Sequence, residues 1–428
     1  MTERKHFYKV LRRIFCAALL FSVGFTWYYL DRSIPDEVNI VAEEEELFSL
    51  NLPLSASFTS ESEEVAVGNG SNIPKGEVRI ETGQPVALYS ETQGSYKVGV
   101  KLFGLFQLKE MQVNVVDTHY AIPCGVPVGI YLKSDGVMVI GTGKITDASG
   151  QETEPAYGLL KSGDYIEEVD GKPLENKEQL IEAVNQAGAN GTGKVELKIR
   201  RDGEEMEVNV DTVAADDGTY KLGAWVRDDT QGIGTMTYLD LNGKFGALGH
   251  GISDSDTGAV VSIEEGALYE TQIMGIEKGS PGKPGVMSGV IYYGPASQLG
   301  TVTANTEEGI FGTAGEELRN QLAGEALPIG YRQDVHTGEA VIRSSVSGEV
   351  KDYKIEIQKV DYSTSHKNKG MVIKVVDEEL LNLTGGIVQG MSGSPIIQDG
   401  KLVGAVTHVF VQDSTRGYGI FIENMLAH

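Results

Sequence analysis

Apolar residues recur along most of the chain in short runs broken by glycine or polar turns, a pattern that predicts strands rather than long helices. The first such runs are residues 86–89, 96–103 and 111–116, followed by 136–140, 195–200 and 205–210, the last two joined by Asp202-Gly203. One segment breaks the pattern. In residues 176–187, Leu180, Ile181 and Val184 fall at helical spacing behind Asn176, a side chain suited to an N-cap. Beyond residue 219, runs at 223–227, 232–238, 259–263, 289–293 and 341–343 predict more strands, and Asn242-Gly243 and Asp399-Gly400 predict hairpins. No alternation with long helices supports a parallel α/β fold, so barrels come first.

The N-terminus follows a different rule. Residues 14–30 carry no charge and follow Arg4, Lys5, Lys9, Arg12 and Arg13. Seventeen helical residues span about 26 Å, and Trp27, Tyr28 and Tyr29 suit a membrane interface. The expectation is a cytoplasmic basic tail at 1–13, a transmembrane segment at 14–30 and the remaining chain outside, with a cleaved signal peptide as the rival. Residues 31–83, with Glu43 through Glu46 and many serines, predict a linker or stalk, and 84–117 a small β region.

Composition narrows the function. The 54 glycines, about 13% of the chain, exceed ordinary usage of ~7% and fit a turn-rich β protein. A formal charge of −25 excludes attraction to phosphate backbones, so nucleic acid is not an expected partner. Cys16 and Cys124 build no disulfide framework. The histidines lack zinc-ligand spacing and the glycine-rich stretch 309–315 lacks a Gly-Lys-Ser/Thr ending, so neither metal nor cofactor is expected.

Between residues 118 and 215 the series Tyr157-Gly158-Leu159, Gly163-Asp164-Tyr165-Ile166 and Val169-Asp170-Gly171, with the helix at 176–187, resembles a PDZ domain of the kind attached to envelope proteases. The resemblance implies peptide binding, with Gly129, Ile130, Tyr131 and Leu132 as the loop that receives a peptide carboxylate.

The chemistry concentrates further on. In Gly390-Met391-Ser392-Gly393-Ser394-Pro395 small residues allow a tight turn that exposes a serine Oγ beside backbone N–H groups, here those of Gly390, Met391 and Ser392, suited to an oxyanion. A serine needs a base. His250 stands between Gly249 and Gly251 at the end of an apolar run, and His408 follows the strand leaving the serine turn. Asp254, Asp256 and Asp377 all remain open as the acid, because spacing along the chain does not choose among them.

The segments 249–254 and 389–395, together with the anchor-plus-PDZ order, resemble the stage IV sporulation protein B family of serine peptidases from spore-forming bacteria. That resemblance implies Ser392 as nucleophile, His250 as base and Asp377 as acid. It further implies a signalling protease anchored in the forespore membrane and acting between the two forespore membranes, whose membrane-associated substrate regulates an intramembrane protease. The expected architecture is therefore mainly β: an N-terminal membrane anchor, a PDZ-like domain at 118–215 and a glycine-rich β-barrel-like serine protease domain at 219–428. The rival from another class is a noncatalytic PDZ-containing membrane adaptor.

Overall fold

The computed structural model describes residues 2–48, 56–60, 65–68, 78–80, 86–102, 105–147, 149–280, 282–322, 324–362 and 367–428. Much of the expected stalk, and His366, lie outside these. The mainly β expectation holds. The anchor does not: residues 14–30 fall inside a helix, Thr2–Ser33, but no helix among the described residues is long and apolar enough to cross a membrane. The uncharged run of 17 residues is shorter than the ~20 that a ~30 Å hydrocarbon core requires, and Ser22, Gly24 and Thr26 interrupt it. The single-pass placement between forespore membranes, which rested on that anchor, is withdrawn with it.

Part of the presumed stalk is structured. The strand Glu37–Val41 pairs in parallel with Phe106–Val116, which continues through Gly94–Leu102 and Ala56–Ser60 to Val78–Ile80 in a five-stranded sheet. Alternation explains it: Val38 and Ile40 turn inward onto Phe58, Val98, Val100, Met111 and Val113.

The 16-residue strand Pro127–Thr142 organises the next part. Its first half lies between Ala224–Asp240 and Ile263–Tyr269, and the sheet runs on through Gln298–Thr306, Gly309–Ala314 and Lys244–Ala247 back to Ala224–Asp240. These six strands form a closed circuit, called here the first ring. Its interior holds Val128, Ile130, Leu132, Met236, Phe245, Leu268 and Val302, and the backbones of Gly300 and Gly312 approach closely enough to lie against Phe245. The second half of Pro127–Thr142 leaves the ring and pairs with Tyr165–Val169, beside Lys194–Arg201 and Glu204–Asp211. The helix Lys177–Ala189 covers this smaller unit. Asn176 caps it by accepting the Gln179 N–H, and Leu180 and Val184 reach the core of Val137, Ile166, Leu197 and Ile199. The sheet does not break between 215 and 219, because Ala224–Asp240 follows Pro127–Thr142 along most of its length.

A second, closed barrel comprises Gly338–Ser344, Lys351–Val360, Met371–Val375, Asp413–Phe421, Lys401–Phe410 and Pro395–Gln398. Tyr353, Ile355 and Ile357 alternate inward against Ile373, Val375, Ile396 and Val406. His250 follows the first-ring strand Lys244–Ala247, and Ser392 precedes the barrel strand Pro395–Gln398. The site therefore falls where the two closed sheets meet.

Because Phe245 is only 1% exposed and is boxed in by glycine backbones, Phe245→Ala leaves a cavity that neighbouring side chains cannot fill. A loss of about 3–5 kcal/mol in urea unfolding is expected; a loss below about 1 kcal/mol contradicts a packed first ring.

Candidate active site

The serine turn is built from backbone shapes that only glycine adopts readily. Asp377 starts the helix Glu378–Thr384 and Gly385, at φ 74°, ends it. The two-residue strand Val388–Gln389 then pairs in parallel with Gly285–Ile291. Gly390 and Gly393 have φ of 104° and 95°, a region that costs L side chains energy. At Gly393 space forbids a side chain as well, since a Cβ would lie 2.1 Å from the Thr235 oxygen and 2.5 Å from the Leu248 nitrogen. The turn is thus pressed onto the first ring. The Thr235 N–H donates to the Ser392 oxygen at 3.1 Å, the Thr235 Oγ1 to the Gly390 oxygen at 2.7 Å, and the Gly393 N–H to Val406 at 2.7 Å.

His250 reaches the same place from the other side. Leu248 and Gly249 both take positive φ, 71° and 68°, turning the chain sharply after its strand. A Cβ at Gly249 would lie 3.0 Å from the side chains of both Thr407 and Ile420, so the His250 turn rests on the barrel strand Lys401–Phe410. There the His250 and His408 rings pack with centroids 4.7 Å apart, and the Ser392 Oγ donates to the Thr407 oxygen at 2.6 Å. His250 and Ser392 thus converge on Thr407 and His408, with no hydrogen bond joining them among the described residues.

Nδ1 of His250 lies 2.9 Å from the Gly251 oxygen. A carbonyl only accepts, so Nδ1 carries the proton and Nε2 is left as the basic nitrogen. Burial holds His250 below its usual pKa, although the carbonyl bond works the other way. His408 is pushed down to about 4 by loss of hydration, then by the charges that His250 and Lys369 can carry. Both imidazoles are neutral at neutral pH.

The acids are placed less simply. Asp254 is buried in an ion pair with Arg227 and accepts the N–H groups of Asp256 and Thr257; burial alone raises its pKa, but these partners bring it below the usual value. Asp256 also faces Arg227, at 3.2 Å. Asp377 spends its two oxygens on the N–H groups of Leu380 and Lys354, each at 3.1 Å. Among the described residues no carboxylate is hydrogen-bonded to His250, and the Gly251 carbonyl holds the ring instead. Of the expected oxyanion donors, the Met391 N–H is taken by the Val388 oxygen at 3.1 Å, whereas the Ser392 N–H has no acceptor among the described residues. The sequence analysis missed Thr235, Thr407 and the carbonyl of Gly251. Only the glycines shortly before Thr235, Gly232 and Gly234, hinted that something packs closely there.

The proposed carboxylate-binding loop requires correction. Gly129, Ile130, Tyr131 and Leu132 form no loop but the middle of Pro127–Thr142, facing Ile233 through Thr230 on one side and Tyr269 through Gly266 on the other. Both edges are paired, so these main-chain groups are not free to meet a carboxylate. A groove of about 490 Å³ does exist nearby, between Leu180, Ile181 and Val184 of the helix and Leu222, Ala224 and Trp225. From Ala224 to Arg227 the strand pairs with Thr142 through Met138 on one side and with nothing among the described residues on the other. Trp225, 64% exposed, stands at this groove.

Residues 218–426 match the model of a protein family described as SpoIVB peptidase S55. This chain is accordingly a serine endopeptidase, which sets aside the noncatalytic adaptor. No curated protein matches. Among solved structures, the PDZ domain of an SdrC-like protein from Listeria monocytogenes is 21% identical, with 22% of this chain and 87% of that one covered at a TM-score of 0.17. The active form of the Rv3671c protease from M. tuberculosis is 14% identical over 46% of this chain and 74% of that one, at 0.26. An inactive serine-to-alanine mutant of the same protease is 12% identical over 46% and 80%, at 0.24. TM-scores this low bear on neither fold nor function here.

The half-buried His250 sets a pH dependence. If His250 is the base, its neutral form is the active one, and because its pKa lies below the usual 6.5, activity should rise with pH through a midpoint below 6.5 and be more than half-maximal there. The pH profile of kcat/KM on a peptide substrate checks this. An acid-limb midpoint at 7 or above contradicts the burial argument.

Proposed function

We propose that this serine endopeptidase cuts its substrate through an acyl-enzyme on Ser392, with His250 as general base. The observation that supports it is the convergence of the His250 and Ser392 turns on Thr407 and His408. The Ser392 Oγ swings from the Thr407 carbonyl toward Nε2 of His250, which takes its proton as Oγ attacks the scissile carbonyl. The Ser392 N–H, with that of Gly390, receives the oxyanion. The imidazolium returns its proton to the leaving amine, and water then releases the acyl group by the same base. Asp377 enters as the acid through the family resemblance. To orient His250 it must first release the N–H groups of Leu380 and Lys354.

The resemblance to the stage IV sporulation protein B family supports a substrate class: a membrane-associated regulator of an intramembrane protease, cut as a signal during sporulation. Its selection falls to the groove beside Trp225. An extended peptide tail adds there as a strand along Ala224 to Arg227 and seats apolar side chains against Ile181 and Val184.

Two measurements test this. Ser392→Ala and His250→Ala should each lower peptide turnover by about 10⁴-fold or more with circular dichroism unchanged. Asp377→Asn should lose about 10⁴-fold if the carboxylate orients the imidazole; normal turnover leaves that task to the Gly251 carbonyl. Near-normal turnover from folded Ser392→Ala removes the nucleophile assignment. For the groove, Ile181→Glu should weaken calorimetric binding of apolar-ended C-terminal peptides at least tenfold while leaving fluorophosphonate labelling of Ser392 intact. Unchanged binding removes the docking role.

A further inference from the structure

We infer that Thr235 is a positioning residue for the hydrolysis, a clamp that fixes the Ser392 turn on the part of the first ring that carries His250. The inference rests on Ser392 being the nucleophile. Three bonds from this one residue, whose exposure is 2%, join the two halves of the site. Its N–H donates to the Ser392 oxygen and its Oγ1 to the Gly390 oxygen, while its carbonyl accepts the N–H of Leu248, two residues before His250.

The hydroxyl bond carries the most consequence. The Gly390 oxygen and the Met391 nitrogen belong to one planar peptide group, so fixing the carbonyl on Thr235 sends the Met391 N–H the opposite way, toward the Val388 oxygen. That closes the turn and leaves the next N–H, that of Ser392, unspent for an oxyanion. Glycines on both sides of Met391-Ser392 give the turn its shape but little stiffness, since each can rotate over a wide range. Without the hydroxyl the 390–391 peptide is free to turn, and the oxyanion donor and Oγ turn with it. Thr237 supplies an internal contrast: it lies two residues on along the same strand, is fully buried, and its hydroxyl has no partner among the described residues. A buried threonine hydroxyl on this strand is therefore not always committed to a bond, whereas that of Thr235 is held by the serine turn.

The experiment follows inactivation of the full chain by a fluorophosphonate, separating KI, the maximal rate kinact and the fraction finally labelled. Thr235→Val keeps the shape and removes the donor; kinact should fall roughly ten- to a hundredfold, with KI within about threefold and the labelled fraction unchanged. Thr235→Ser restores the hydroxyl and should restore kinact, and Thr237→Val should leave it unaltered. A purely structural role predicts instead a smaller labelled fraction at normal kinact, and that outcome overturns the clamp. Thr235→Ser labelling at least tenfold more slowly than the unaltered chain also overturns it, and this outcome is readable even where Thr235→Val fails to fold. Labelling that persists in Ser392→Ala defeats the nucleophile assignment itself. Loss of labelling in Ser392→Ala beside normal kinact in Thr235→Val defeats only the clamp.

Discussion

A methyl group at position 393 would collide with the Thr235 carbonyl, and the rest of the site depends on that closeness. His250 and Ser392 belong to different closed sheets, 142 residues apart (392 − 250). They share a site only because the backbone of one turn lies directly on the backbone of the other. Close backbone contact of this kind excludes water from the hydrogen bonds that Thr235 makes and so strengthens them. It also explains the glycine content in one place: Gly249, Gly390 and Gly393 are needed for shape and for room together.

The electrostatics follow from the same burial. Pressing the turns together takes water from His250, which favours its neutral, basic form. His408 packs on it and is itself kept neutral. The Gly251 carbonyl selects the tautomer, the task that a carboxylate has in a Ser-His-Asp triad. A carbonyl orients the ring but brings no full negative charge to stabilise the imidazolium. Asp377 is engaged instead as a helix cap, one that also ties that helix to the barrel strand Lys351–Val360 through Lys354.

One strand connects the groove beside Trp225 to the serine turn. Ala224–Asp240 borders the groove at its start, closes the first ring along its middle and clamps the serine turn through Thr235. The groove and the serine turn thus lie along a single continuous element, held on one side by Pro127–Thr142 over much of its length.

The sequence by itself determined what depends on neighbours along the chain. Period-two runs marked the strands, Asn176 marked the start of its helix, and the glycines around Ser392 and His250 marked two tight turns, because alternation, capping and positive φ are local properties. Local patterning also misled. Residues 14–30 read as a membrane span although the run is too short, and Gly129 to Leu132 read as a loop because glycine content does not reveal that both strand edges are paired. Only the tertiary structure decided which residues meet. Thr407 and His408 beside the two turns, Thr235 bridging them, and the Gly251 carbonyl against the His250 ring result from docking two closed sheets, and such long-range contacts leave no period along a single chain.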